Sequence, residues 1–498
     1  MNRSVGRNAM LLAGTSAGSY ILGLARDRLL AQTFGASRDV DLFNSAFLLP
    51  DLIMNLFAAA LTTAFIPVFA QLLKQGKAPA YQASNAILTV VAVALCLVDV
   101  VAFMIMPWIT PLVAPGFSAT ELAQLTTLTR ILLLSPLLFG ISTLFGAILQ
   151  GQHRFLAYAL SPMLYNLGIV IGIIFFAKPF GIRGVVFGVV LGAMLHLIIR
   201  LVATLRLGYT PEFIQQSFKH PAVKQTLLLM GPRVIGLLAI QASLWTFNAI
   251  GSTLQPGSVA IFNFARNFQS LPVSFIGIAL ATVIFPVLAS DSSELMNNTR
   301  KALRMIFFLT LPAMVGMMFV SQPLITVFLG GGAFDAAAIQ TTAITLIVFS
   351  LLIPLESLQH ILARAFYAKH DTKTPAVITI IGAVVNVIGC VVATSFWGVT
   401  GLAVGFVIMT LIIDILFVWK LPHIIDYSII KNGAQNVVGC LVMAILVGAI
   451  KSVGVIHELP LLIGMAGTGI ITYNIVMYLL KNQELSIILK QVHLRKSS

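Results

Sequence analysis

Arg26, Asp27 and Arg28 stand together in the stretch GLARDRLLAQTFGASRDVDLF (Gly23–Phe43), with apolar runs on both sides. Only 9% of the chain is charged, so three consecutive charges in such a setting call for a reason. An ionisable group in a membrane helix is costly and therefore faces a protein interior or a wet cavity. A guanidinium grips phosphate or pyrophosphate oxygens through a bidentate fork, so the chemistry open to these residues is anion recognition. On a helix, Arg26 and Asp27 differ by about 100° and Arg26 and Arg28 by about 200°. We expect Arg26 to face a wet cavity, Asp27 to pair with it or orient it, and Arg28 to snorkel or reach another helix. The alternative is a helix that ends near residue 25, leaving the charges in a solvated loop.

Other charges lie within apolar spans. Arg266 is a second candidate for anion binding, and Arg233 follows a Gly-Pro pair. Asp51 follows Pro50, where a kink would expose it to a cavity. Asp99, Glu356 and Asp414 read as structural partners or interfacial acids, and His360 stands at i, i+4 from Glu356. There is no nucleotide-binding loop, no HExxH and no metal-ligand spacing, so the sequence does not read as an enzyme.

The elements that must position these residues are membrane helices. The chain has 498 residues, 58% of them hydrophobic, with a mean hydropathy of +0.99. Soluble domains carry about 25% charged residues. Repeated apolar stretches of about 20 residues mark a polytopic membrane protein, and without strand-like alternation the spans are helices. We expect fourteen: 9–34, 40–72, 84–113, 120–150, 155–177, 183–206, 222–252, 258–289, 297–328, 337–367, 375–396, 399–420, 433–454 and 459–480. The basic start followed by an apolar run resembles a signal peptide, but the apolar phase continues past Gly23 and reads as a retained first helix. Cys96, Cys390 and Cys440 each lie in an apolar stretch and read as packing residues.

The net charge of +14 sorts by side. Arg3, Arg7, Lys74, Lys77, Arg154, Arg200, Arg206, Lys219, Lys224, Arg300 and Lys301 fall at one set of helix ends, as do the basic residues of the C-terminal tail. The loops 253–257, 329–336 and 396–399 carry no Lys or Arg. This bias places both termini in the cytoplasm. It also accounts for most of the basic balance, and no soluble basic face remains for a nucleic acid.

The chain repeats itself. FNSAFLLP (43–50) echoes FNFARNFQSLP (262–272), and AFIPVFA (64–70) echoes VIFPVLA (283–289). Asn166 followed by GIRGVVFG (181–188) echoes Asn386 followed by GVTGLAVG (398–405). Four matches in register imply an all-α fold of two six-helix lobes, 1–215 and 216–425, with two further helices and a basic tail over 426–498. Six helices per lobe give both repeats one orientation, hence a pseudo-two-fold axis along the membrane normal and a substrate site at the lobe interface. Arg266 then lines the same space from the second lobe. Gly184, Gly188, Gly401 and Gly405 permit close helix approach. Pro50, Pro67, Pro272 and Pro286 should kink the second helix of each lobe, as a bending transporter needs and as ordinary membrane prolines also do.

GLARDRLLAQTFGAS followed by AFIPVFAQ, together with SLPVSFIGIALATVIFPVLA (270–289), resembles the MurJ/MviN lipid II flippases of the multidrug/oligosaccharidyl-lipid/polysaccharide exporter superfamily. The resemblance covers the whole chain. It implies a V-shaped, bilobed exporter that moves an undecaprenyl-pyrophosphate-linked peptidoglycan precursor to the outer leaflet of the bacterial inner membrane by alternating access. It also implies a lipid-tail groove formed with the last two helices.

By the same resemblance, Arg26 and Asp27 match the family's Arg-Asp pair and Asp41 its acid at the start of the second helix. Arg26, Arg28 and Arg266 would bind the pyrophosphate, while Asp27 and Asp41 orient or gate; Asp51 and Asn267 join the substrate-contact set. Asn267 aligns with the family arginine of the eighth helix. The chain departs from the pattern at Tyr20, Met54 and Asn55, where arginines are usual, and at Ala59, where an acid is. Coupling to a sodium ion or a proton is implied. Asn248 and Asn386 are the candidate sodium ligands, with Cys390 in place of an acid. The implied partners are the lipid-linked substrate, membrane lipids and proteins of cell-wall synthesis, for a monomeric protein. The other readings are a flippase for a different polyprenyl-linked glycan, an ion-coupled drug antiporter of this fold, and a non-transporting scaffold.

Overall fold

The computed structural model describes residues 3–290, 293–452 and 457–496, and among these it is helical almost throughout. Side chains at 3–10, 12–13, 59, 63, 231–240, 242–243 and 491–496 lie outside the description, so the expectations for Arg233 and Ala59 do too. Among the described residues, twelve helical spans are long and apolar enough to cross a bilayer: α2 (Arg38–Leu73), α3 (Lys77–Val113), α4 (Ala119–Gly151), α5 (Phe155–Phe180), α6 (Ile182–Leu205), α8 (Ser258–Ser290), α9 (Leu295–Leu329), α10 (Ala336–Ala368), α11 (Lys373–Trp397), α12 (Val399–Lys420), α13 (Tyr427–Ser452) and α14 (Glu458–Leu479). Two more, α1 (Arg3–Phe34) and α7 (Pro221–Ser252), have 32 residues each, about 48 Å of helix. A short α15 (Gln483–Lys496) ends the chain.

Proline sets the breaks. Spans α2, α4 and α10 are interrupted at Phe47, Leu133 and Leu351, each three residues before Pro50, Pro136 and Pro354. A proline in mid-helix deprives the carbonyl four residues earlier of its partner and clashes with it, at about 3 kcal/mol or more. Restarting the helix puts each proline in a first turn, where its missing N–H is no loss. Pro272 is followed by a π-helical turn, Val273–Ile278, another accepted route around a lost bond. The helix is continuous through Pro67 and Pro286. Of the four expected kink sites, only Pro50 and Pro272 therefore coincide with an interruption.

The internal repeat is visible in backbone detail. His153 and His370, 217 residues apart, both adopt positive φ, 59° and 60°. The following amides close the same bond: Arg154 N–H to Leu149 O at 2.8 Å and Asp371 N–H to Phe366 O at 3.0 Å. Gly181 (φ 60°, ψ −142°) and Gly398 (φ 53°, ψ −132°) form the α5–α6 and α11–α12 turns, in a region essentially closed to other residues. A Cβ on Gly184 would lie 2.1 Å from Phe176 O, and one on Gly401 would lie 2.4 Å from Ala393 O. The close approach expected of these glycines is thus real in both hairpins.

By contact density the chain divides into Met1–Val259 and Ala260–Ser498. In the first unit, Phe65, Phe69, Leu95 and Phe145 anchor the core, and α7 packs on α2 and α3. In the second, Ile306, Ile361, Leu362 and Phe417 anchor one core, while Phe308, Met443, Tyr473 and Met477 join α9, α13 and α14 in another.

Candidate functional site

In the first unit, α1 runs on to Phe34, so Arg26, Asp27 and Arg28 lie inside a helix and not in a terminal loop. Their side chains diverge as the 100° step requires. Arg28 is exposed. Arg26 folds back on its neighbour, its Nε and Nη2 both donating to Asp27 Oδ1 at 2.9 and 2.8 Å. Its Nη1 donates to Asn166 Oδ1 on α5 at 3.2 Å, and the Asn166 amide in turn donates to Ser19 Oγ at 3.2 Å. The Arg26 side chain keeps 27% of its surface and Asp27 10%. The guanidinium is thus held in place by all three of its nitrogens and remains partly accessible.

Two further groups complete this cluster. Tyr165, adjacent to Asn166, lies close enough to both Arg26 and Asp51 to interact with them electrostatically. The cluster thus joins α1, the broken start of α2 and α5. Asn166 drew notice in the sequence only as a repeat marker, and Tyr165 and Ser19 gave no signal, because contact between α1 and α5 is long-range.

Asp41 is elsewhere. It is fully buried at the start of α2, accepting from Gly257 N–H at 2.7 Å and from Arg38 Nη1 at 3.5 Å. Arg38 also pairs with Glu121 at 3.0 Å, donates to Ser252 O and lies over the Phe117 ring at 4.6 Å. Asp41 therefore ties the start of α2 to the loop between α7 and α8. In this arrangement it is a latch.

In the second unit, the α8 guanidinium Arg266 donates to Gln269 Oε1 and Glu356 Oε1, both at 2.8 Å. Gln269 closes the triangle on Glu356 Oε2 at 2.9 Å. The Phe406 ring lies 4.5 Å below the guanidinium, a cation–π contact. Glu356 is thus the partner of Arg266. Asn267, one step on, is exposed. Asp414, on α12, is buried with neither oxygen hydrogen-bonded.

Both candidate sodium ligands have hydrogen-bond partners within the protein. Asn248 accepts from Ser45 Oγ and donates to Val113 O, both at 2.9 Å. Asn386 accepts from the Cys390 thiol at 3.4 Å, and that thiol also contacts Leu402 O. A hard cation wants six or so oxygens. A carbonyl beside a thiol does not fit one, and among the described residues no group of three or more His, Cys, Asp or Glu could hold a metal. A buried polar set that sequence reading missed joins Arg200 to Ser161 Oγ at 2.8 Å and to Ser142 O at 3.2 Å, beside the Ser142–His196 contact at 2.9 Å. Arg200 read in sequence as one more basic helix end; only the α4, α5 and α6 packing buries it.

An all-helical membrane chain of repeated six-helix halves, with charged clusters inside its spans, defines a multi-pass transporter. The solved structure of lipid II flippase MurJ in an inward closed conformation superposes with a TM-score of 0.82 at 22% identity, covering 95% of this chain and 98% of that one. An inward-facing multidrug-resistance MATE transporter of the MOP superfamily superposes at 0.68 with 15% identity, over 82% and 94%. The family profile described as lipid II flippase MurJ matches residues 30–461. The Burkholderia cenocepacia lipid II flippase MurJ is 30% identical over 388 residues, 75% of each chain. A Thermotoga maritima relative is 25% identical over 484 residues, 95% of this chain and 96% of its own. The chain belongs to the lipid II flippase MurJ family.

Proposed function

We propose that this protein is a lipid II flippase, moving the undecaprenyl-pyrophosphate-linked peptidoglycan precursor from the inner to the outer leaflet of the bacterial inner membrane by alternating access. It acts as a transporter and not as an enzyme. The observation that carries the reading is the Arg26 guanidinium, fixed by Asp27 and Asn166 within the span and still partly accessible. Such a group binds a pyrophosphate through charge-assisted bonds strengthened by the low dielectric around it. Arg28 in the first unit and Arg266 in the second are further candidate cations for substrate phosphate, with Asp51 and Asn267 as polar contacts. Arg266 takes part only when Glu356 releases it. Asp27 sets the Arg26 geometry, and Asp41 opens or closes the latch to Gly257.

Both termini lie in the cytoplasm on this reading, as the Lys and Arg bias requires. The poor oxygen set around Asn386 favours coupling by a proton or by the membrane potential over a sodium ion.

The test is rescue of a bacterium depleted of its own lipid II flippase. Wild-type protein should restore growth and Arg26→Ala should not, at equal membrane expression. Failure of the wild type despite insertion refutes the flippase reading. Rescue by Arg26→Ala refutes the pyrophosphate contact.

A further inference from the structure

The α5–α6 hairpin of the first unit carries a groove of about 1620 Å³ that the transport reading does not use. Its α6 wall is Leu195, Ile199, Val202 and Ala203, with Arg206 at the end. These positions recur at three and four residues and so form one stripe. From Leu195 to Arg206 the stripe is about 17 Å long, close to one leaflet of a hydrocarbon core about 30 Å thick. The α5 wall repeats the pattern with Leu156, Leu160 and Leu164, and Leu11 of α1 contributes as well. Leu156, Ile198 and Val202 are exposed, so the groove opens at the protein surface through an apolar rim.

All its cationic residues are at one mouth. Arg154 precedes the first residue of α5 and Arg206 follows the last of α6, and because the two helices are an antiparallel hairpin both arginines come to the same end, with His153. Neither arginine has a carboxylate partner among the described residues, and no described lining residue is acidic. The backbone counterpart of Arg154 is Asp371, which accepts from the Lys373 and Thr374 amides and caps α11. An arginine at position 154 is therefore not dictated by the repeated turn.

We propose that this groove binds an anionic phospholipid of the surrounding bilayer, its acyl chains along the Leu195–Val202 stripe and its phosphate between Arg154 and Arg206. Basic pockets between membrane helices on the cytoplasmic side suit such headgroups, and the charge bias puts this mouth there. The inference rests on the groove and its charges and stands apart from the identity of the transported lipid.

The test is native mass spectrometry of the full-length protein with phosphatidylglycerol and phosphatidylcholine of identical acyl chains. The wild type should retain phosphatidylglycerol on the order of 10- to 30-fold better, the scale that two interfacial arginines provide. Arg154→Ala with Arg206→Ala should bring retention down to that of phosphatidylcholine, while Asp371→Ala leaves the preference intact. A wild type without preference, or a double variant that keeps it, overturns the proposal. If the double variant does not fold, Ile199→Trp, which fills the groove and leaves both arginines, must reduce retention of both lipids; unchanged retention overturns it equally. Glycerol phosphate at the same concentration should not displace the lipid. Displacement by it would mean a headgroup-only surface site, displacement by undecaprenyl pyrophosphate a substrate site, and either outcome overturns the assignment.

Discussion

Arg26 directs two of its nitrogens at a single oxygen of Asp27, the next residue in the chain, and a third at Asn166 on another helix. Neighbours on a helix point about 100° apart, so the pair meets only because the long arginine curls back. Replacing Asp27 by Asn keeps the shape and removes the counter-charge. Arg26 is then a partly buried cation with weaker bonds, a loss of about 1–3 kcal/mol. We expect Asp27→Asn to lower the thermal midpoint and to reduce rescue of flippase-depleted cells. Asp27→Glu should recover both in part.

Asp41→Ala should act differently. It leaves the Gly257 amide and part of Arg38 unpaired in a buried place, at about 1–3 kcal/mol. Asp41→Asn can still accept from Gly257 and should fall between wild type and Asp41→Ala. Thermal unfolding of the three proteins in detergent checks the order, and equal midpoints would remove the latch.

Glu356→Gln should free Arg266. The neutral amide still bonds to the guanidinium but no longer cancels its charge. We expect tighter retention of a pyrophosphate-bearing ligand and slower turnover, since an anion held more firmly leaves more slowly. Titration calorimetry with undecaprenyl pyrophosphate and a leaflet-flipping assay measure the two effects; unchanged affinity means that Arg266 does not meet the headgroup.

Arg304 of α9 and Glu484 of α15 form a buried ion pair at 2.7 Å, with Asn432 and Ser428 as further partners. Breaking a buried pair from one side costs about 3–5 kcal/mol because a charge is left behind. Glu484→Gln should therefore loosen α15 and expose it to limited proteolysis. Replacing both residues, Arg304→Met with Glu484→Leu, should be milder than either single change. A single variant as protease-resistant as wild type would contradict this.

Gly184→Ala and Gly401→Ala should be equally damaging. At each site the new methyl meets backbone, at 2.1 and 2.4 Å, so neither hairpin can relax by moving a side chain. Membrane expression should drop for both, whereas Gly14→Ala, where nothing lies within 4 Å, should be neutral.

Much of the architecture was legible in the residues themselves. Apolar runs of bilayer length specify spans because unpaired backbone groups cannot be left in hydrocarbon. A Gly at 181 and at 398 acts on its own few neighbours, so a local pattern is enough to reveal the repeat. That locality also explains why Arg26 and Asp27 stood out: a charge is anomalous in an apolar run before any fold is known. The partners of those charges were another matter. Asn166, Tyr165 and Glu356 come to Arg26 and Arg266 from helices 90 or more positions away. Asp41 proved to be a buried latch because Gly257 arrives 216 positions later. The partners of Asn248 and Asn386, Ser45 and Cys390, likewise came to light only in the packed helices. Membrane class, spans and repeat can be read along the chain because they depend on hydropathy and backbone chemistry within a few turns. Which charges are neutralised and which stay open to a ligand cannot, because hydrogen bonding and burial depend on helices that meet only after the chain has folded.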